Sequence, residues 1–178
     1  MMTKRQGELV NTFLADVGGE SVALFSRLIE CLEALGYYPR KEGPNLSFKH
    51  DAHSKQMAKM GMRTGKEVYP FFALRFSACR GYSKRFADIV EAAIRRFPKK
   101  VAMCAEGGCS YCAGAPHEHV YMHSFPEGVR RHCGAYALEI TELSEADLPE
   151  IQALIRAEHA YLMAHEAAAQ TEGVSGDG

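Results

Sequence analysis

The sequence has no tryptophan and no long hydrophobic run. A helix that spans a bilayer needs about 20 consecutive apolar residues, and no stretch of the 178-residue chain approaches that length. The first residues, MMTKRQGELVNTF, carry basic side chains but neither an apolar segment nor a small-residue cleavage site, so they do not resemble a secretory signal. We therefore expect a cytoplasmic protein that does not enter the membrane.

Motifs of several common enzyme classes are also missing. The chain contains no Walker loop, no Gly-x-Gly-x-x-Gly, no nucleophile elbow and no His-Glu-x-x-His. Its hydrophobic fraction of 47% and charged fraction of 24% are typical of a globular domain. We predict one domain over residues 1–166. Residues 167–178 are small, polar and rich in glycine, which predicts a disordered tail.

Charge is distributed unevenly although the net charge is only −1. Residues 1–100 hold 18 Lys and Arg against 10 Asp and Glu, whereas residues 101–178 hold 3 against 12. Residues 40–100 alone hold 15 against 5. The favoured interpretation is that a basic face and an acidic helix neutralise each other within one fold. The alternative is a nucleic-acid-binding module that uses the basic 40–100 region.

The hydrophobic pattern predicts an α+β protein. Apolar residues recur at helical spacing over residues 9–17, 22–35, 85–97 and 148–162. Four segments have the pattern of strands: NLSFKH, FFALRFSAC, HVYMHSF and GAYALEI. The segment SKQMAKMGMR fits either a kinked strand or a poor helix. We expect an antiparallel sheet of about four to five strands covered by helices, together with a Cys-rich metal-binding loop.

Four of the six cysteines lie within one thirty-residue segment, 104–133. Cys109 and Cys112 have the two-residue spacing of a metal knuckle, Cys104 precedes them, and Cys133 opens the predicted strand GAYALEI. If HVYMHSF and GAYALEI form a hairpin, Cys133 returns to the point where Cys112 left the fold. Four thiolates surround Zn²⁺ tetrahedrally in closed structural sites. The pattern therefore predicts a structural zinc site with these four cysteines as ligands.

Other ligand sets and other metals fit the same segment. His119 or His132 can replace one thiolate in a Cys₃His site. The spacing Cys-x4-Cys-x2-Cys followed by a distant cysteine resembles the cluster loop of plant-type [2Fe–2S] ferredoxins, which implies an iron–sulfur cluster as the alternative cofactor. A third interpretation is a group of thiols that bind no metal.

The last 80 residues resemble a group of bacterial α+β proteins that have a C-terminal Cys-rich segment of the zinc-binding type. The resemblance depends on the strings CSYC, HCGAYALEI and LPEIQALI. It implies zinc coordination and indicates no activity. The earlier part of the chain is similar, more distantly, to frataxin-like domains of the iron-chaperone type.

Arg75 lies inside the apolar segment FFALRFSAC, where a buried charge requires a partner. It is a candidate anion-binding residue together with Lys49 and Arg80, and the alternative is an ion pair with an acidic helix residue. The leading functional hypothesis is a protein with a structural zinc that binds a small ligand or another protein. The alternatives are the nucleic-acid-binding module, a [2Fe–2S] protein, and an enzyme with a pocket near Arg75.

Overall fold

The computed structural model describes residues 1–106, 109, 111–112 and 114–172. Within these residues the helices are α1 (Lys4–Val17), α2 (Ser21–Ala34), α3 (Lys84–Arg96) and α4 (Leu148–Glu172). The strands are β1 (Tyr37–Glu42), β2 (Asn45–His50), β3 (Gln56–Arg63), β4 (Tyr69–Leu74), β5 (Tyr121–Phe125), β6 (Gly128–His132) and β7 (Leu138–Glu139). The α+β class is thereby confirmed.

The main sheet has five antiparallel strands in the order β1-β2-β3-β4-β7. Alternation along the strands gives the sheet two different faces, because successive side chains of a strand point to opposite sides. Leu46, Met60 and Phe72 are neighbours across β2, β3 and β4 and belong to the hydrophobic core. Lys59 and Ala73, their neighbours in sequence, occupy the opposite face, which we call the open face.

Helices α1 and α2 pack on the core face of the sheet. The apolar stripe of α2 contributes Leu28 and Leu32, both completely buried. Ser83 precedes the first residue of α3 as its N-cap, and the buried Phe86 and Val90 of that helix join the same core. Helix α4 packs beside α2 through Ile151 and other apolar residues. The helices therefore cover the sheet mainly from one side.

Two predicted strands differ from the structure. The segment FFALRFSAC is not one strand, because β4 ends at Leu74 and a turn follows. The hairpin partner of β5 is β6, Gly128–His132, and not GAYALEI. Only Leu138 and Glu139 of GAYALEI form a strand, and this strand pairs with β4 at the edge of the main sheet. The ambiguous segment SKQMAKMGMR is a strand, since all of β3 lies within it.

The last helix is longer than its apolar pattern indicates. It begins after Asp147, whose carboxylate accepts hydrogen bonds from the backbone N–H and the hydroxyl of Ser144, and continues to Glu172, past the predicted start of the tail at residue 167. The rest of that predicted tail, residues 173–178, lies outside the described part of the chain. Neither α4 nor any other described helix is long and apolar enough to cross a membrane.

Candidate metal centre and the buried ion pair around it

The centre of the molecule contains an ion pair with no access to solvent. Arg75 follows β4 and is 1% exposed, and Glu158 of α4 is 0% exposed. Arg75 Nε donates a hydrogen bond of 2.8 Å to Glu158 Oε1. The carboxylate also accepts hydrogen bonds from the Ser77 hydroxyl and, at 2.7 Å, from the Ala78 backbone N–H. Arg75 thus has the acidic helix partner that was the alternative to an anion site.

Two polar atoms near this ion pair have no hydrogen-bond partner among the described residues. They are Arg75 Nη2 and His119 Nε2, and both are buried. Burying a polar atom without a partner costs free energy. Burial lowers the pKa of the His119 imidazole, and the Arg75 guanidinium lowers it further, as expected for two groups in the same part of the interior. The two unpartnered atoms therefore belong to one region.

Backbone pairing brings the cysteine segment to this region. Val101 forms a bridge with His132, and the Cys133 backbone N–H donates to the carbonyl of Lys100 at 2.9 Å. These contacts extend the pairing of β6 and lay residues 100–102 alongside residues 131–133, just before the turn that holds Cys104. The predicted hairpin partner GAYALEI was wrong, but β6 ends at His132 and therefore also brings Cys133 back along β5.

Two of the predicted ligands act electrostatically on a third. Burial raises the pKa of the Cys112 thiol, Arg75 opposes that rise, and Cys133 and Cys104 add to it. Cys109 is exposed on the protein surface. In the described part of the chain, no three Cys, His, Asp or Glu side chains are arranged closely enough to hold an ion.

His119 is held next to Cys133 by a close backbone contact. Gly134 follows Cys133, and a Cβ atom at Gly134 would lie 1.7 Å from the His119 carbonyl oxygen and 2.6 Å from Ser77 Oγ. Only glycine permits this approach. The contact joins the segment before β5, the segment after β6 and the buried ion pair into one packed unit.

The hydrogen bonds of His119 determine which ring nitrogen is available. The Tyr161 hydroxyl donates to Glu118 at 3.5 Å and lies 3.3 Å from His119 Nδ1. A hydroxyl that donates elsewhere accepts from the ring, which places the imidazole proton on Nδ1. The Nε2 atom then has a lone pair and no partner. This is the tautomer in which metal-binding histidines are held by a neighbouring acceptor.

The other predicted site residues lie in different surroundings. His132 is buried between Tyr121 and Tyr136, and burial, followed by Lys100, lowers its pKa to about 4. The Arg80 guanidinium donates to the carbonyl oxygens of Ser77, Cys79 and His117. Lys49 lines a groove on the open face. The structure therefore does not bring Lys49, Arg75 and Arg80 together.

That groove, which we call the open-face groove, has a volume of about 890 Å³. It extends from the open face of β2, β3 and β4 to the end of α3 and the segment between Cys133 and β7. The residues used below are its basic side chains and its aromatic side chains: Lys49, Lys59, Arg63, Arg96 and Lys100, and Tyr69, Phe71, Phe97, Tyr111 and Tyr136. The sequence analysis missed most of them, because it did not assign a face to each strand residue.

A second polar cluster was also missed. The Tyr37 hydroxyl lies 3.4 Å from His53 Nε2 and 3.2 Å from His159 Nδ1. His53 Nδ1 accepts from the Lys55 backbone N–H at 3.1 Å, so its proton is on Nε2 and points toward Tyr37. The Tyr37 hydroxyl in turn donates to His159. These nitrogens are used in hydrogen bonds, which makes the cluster a structural network and not a metal site.

Comparison of the chain with protein-family models, with curated proteins and with solved structures gives no match in any of the three.

Proposed function

We propose that the chain is a zinc protein in which Cys104, Cys112, Cys133 and His119 hold one structural Zn²⁺. The observation that carries the proposal is the buried Nε2 atom of His119, which has no partner among the described residues and belongs to a residue held beside Cys133 by the backbone contact at Gly134. Thiolate and imidazole are the ligands that structural zinc prefers. A metal ion at Nε2 provides the partner that this buried nitrogen otherwise lacks.

The electrostatics of the region suit a thiolate-rich site. Three thiolates and one neutral imidazole around Zn²⁺ leave one net negative charge, which is costly to bury alone. Arg75 supplies the neighbouring positive charge, and its Nη2 atom has no hydrogen-bond partner among the described residues. N–H donors around a metal-bound sulfur stabilise the thiolate. Arg75 would thus stabilise the site from outside the ligand set.

This proposal changes the fourth ligand from the one that cysteine spacing indicated. Cys109 is exposed on the protein surface. His119 is buried, is fixed by Tyr161 and is joined to Cys133 through the contact at Gly134. A closed site with four protein ligands would have a structural role, since a catalytic zinc keeps one open position.

An enzyme centred on Arg75 is the less favoured alternative. A substrate anion at Arg75 would have to displace Glu158 from a completely buried ion pair. Displacing one member of such a pair leaves an uncompensated buried charge, which costs about 3–5 kcal/mol. Arg75 therefore fits a supporting role for the site better than a substrate-binding role.

Metal content and the spectrum of the cobalt-substituted protein test the ligand set. We compare His119→Ala with Cys109→Ser and His132→Ala, and include Cys112→Ser as the variant expected to lose the metal. The expected result is one tightly bound ion in wild type, Cys109→Ser and His132→Ala, with a tetrahedral Co²⁺ spectrum of three thiolates. His119→Ala should bind the ion at least tenfold more weakly.

Two results would overturn the proposal in different ways. Loss of metal in Cys109→Ser with full binding in His119→Ala would replace the Cys₃His set by Cys₄. Wild-type protein that binds two iron ions with visible charge-transfer absorption would establish the iron–sulfur alternative.

A further inference from the structure

The open-face groove has an excess of positive charge that the protein itself does not neutralise. Lys59 Nζ lies 3.6 Å from Glu42, and Arg63 forms an ion pair with Glu139. The three other basic side chains of the groove have no carboxylate within 4.0 Å among the described residues: Lys49, Arg96 and Lys100. Among the described residues after residue 100, Glu139 is the one acidic residue that lines this surface.

The groove also collects the exposed aromatic rings. Among the described residues, the aromatic side chains classed as exposed all line it: Tyr69, Phe97, Tyr111 and Tyr136. Exposed aromatic residues scattered over a surface need no explanation, but their restriction to one groove does. Other aromatic rings in or next to the basic segment are not available for stacking, since Tyr37, Phe48 and Phe72 are completely buried in the core and Tyr82 is partly buried against it.

Basic groups and rings are placed side by side in this groove. Lys100 Nζ lies 3.9 Å from the centre of the Tyr136 ring and 4.7 Å from that of Phe97. The Arg63 guanidinium lies 3.9 Å above the Phe71 ring and extends the flat surface toward Tyr69. A ligand that combines negative charge with flat unsaturated groups matches this pattern at several points at once.

We infer that the open-face groove binds single-stranded nucleic acid, with bases stacked on its exposed rings and phosphates contacting Lys49, Arg96 and Lys100. Aromatic side chains inside a basic groove are the common means of binding single strands without sequence preference. In a duplex the bases are paired and stacked on one another, so the rings of the groove would remain unused. The groove borders the proposed zinc site at Cys133, but none of the side chains assigned here to bases or phosphates is a proposed metal ligand.

Fluorescence anisotropy with a labelled ten-nucleotide oligo-dT and its RNA counterpart oligo-U tests the inference on zinc-loaded protein. Three phosphate contacts predict that log K falls with log salt concentration with a slope of about −2. The combined variant Lys49→Gln, Arg96→Gln, Lys100→Gln should abolish most of this slope. The matched control, Lys4→Gln, Arg5→Gln, Lys41→Gln, removes the same charge from residues that do not line the groove and should retain it.

Ring variants separate stacking from general attraction to the basic groups. Tyr136→Leu removes a ring at similar volume and should weaken binding about tenfold, whereas Tyr136→Phe keeps the ring and should bind as wild type does. Circular dichroism of each variant checks the fold. Three results would each overturn the inference. They are equal affinity for a duplex of the same length, an equal loss of affinity in the two triple variants, and no binding of the single strand at low salt.

Discussion

At the scale of single residues, the account depends on the ion pair between Arg75 and Glu158. Both side chains are buried, so removing one charge leaves the other unsatisfied in a low-dielectric interior. Glu158→Gln should therefore lower the free energy of unfolding by about 3–5 kcal/mol. Chemical denaturation of the purified variant measures this difference.

The matched control for that prediction is Glu145→Gln. Glu145 pairs with Arg27 at 2.7 Å, but both side chains are more than half exposed. Exposed pairs contribute less than about 1 kcal/mol. A similar small loss in both variants would contradict the view that Arg75 depends on Glu158.

A second prediction at this scale concerns His53. Burial, followed by the charges of His50 and Lys55, lowers the pKa of His53 from 6.5 to about 4. Between these two values the unfolded chain binds more protons than the folded protein does, so stability falls as the pH drops from about 6.5 to about 4. The expected contribution is roughly 1–3 kcal/mol.

Denaturation of wild type and His53→Asn at pH 7 and pH 4.5 checks this prediction. Asparagine can keep the acceptor for the Lys55 N–H while it removes the titrating ring. The variant should lose less stability than wild type over this interval, and His117→Asn, at an exposed position, should behave as wild type. An equal loss in all three proteins would exclude His53 as a source of the pH dependence.

The candidate site could be predicted from the sequence only in part, for reasons visible in its residues. The short spacing between the cysteines indicated segment 104–133 as the candidate site, because the ligands of structural metal sites recur at short intervals along a chain. Glu158 is 83 residues from Arg75, so no local pattern could connect them. The sequence offered His119 and His132 equally as candidate fourth ligands, and the backbone contact of His119 at Gly134 is what favours His119.

At the scale of secondary-structure elements, the predicted helices were correct because each has an apolar stripe that packs on the core and a polar face that meets solvent. Three segments were assigned wrongly or left ambiguous (FFALRFSAC, GAYALEI and SKQMAKMGMR), and β6 was not predicted. Strand β6, GVRRH, is exposed along most of its length, so it lacks the alternating apolar residues that identify a strand. The apolar segment GAYALEI contributes only two residues to the sheet edge. Burial, and not strand formation, produced its hydrophobic pattern.

The metal's role can be tested at this scale by hydrogen exchange. The segment from Cys104 to Cys133 contains one hairpin and two 3₁₀ turns, whereas α2 and α3 have apolar stripes of their own. If the proposed zinc is bound, we expect it to supply local stability to this segment that packing does not. In Cys112→Ser, the amide protons of residues 114–133 should exchange faster before those of α2 and α3 change.

Cys31→Ser is the control for that experiment, since Cys31 lies on α2 at the edge of the core. It should leave the exchange of residues 114–133 unchanged. Cys112→Ser protein with normal exchange in this segment would contradict a metal that stabilises the loop.

At the scale of the whole molecule, the uneven charge distribution has two structural explanations. Part of the basic excess pairs with the C-terminal half, as in Arg75 with Glu158, Arg85 with Asp147 and Arg27 with Glu145. Another part remains unpaired and lines the open-face groove. The expectation that the two halves neutralise each other therefore describes the core and one side of the molecule, but not the groove.

Elemental analysis of anaerobically purified protein tests the central claim most directly, because it requires neither a ligand nor an activity. The account predicts a colourless protein that carries about one zinc ion per chain. The iron content should be negligible. A metal-free protein that is as stable as the zinc-loaded one, or a brown protein with two iron ions per chain, would contradict it.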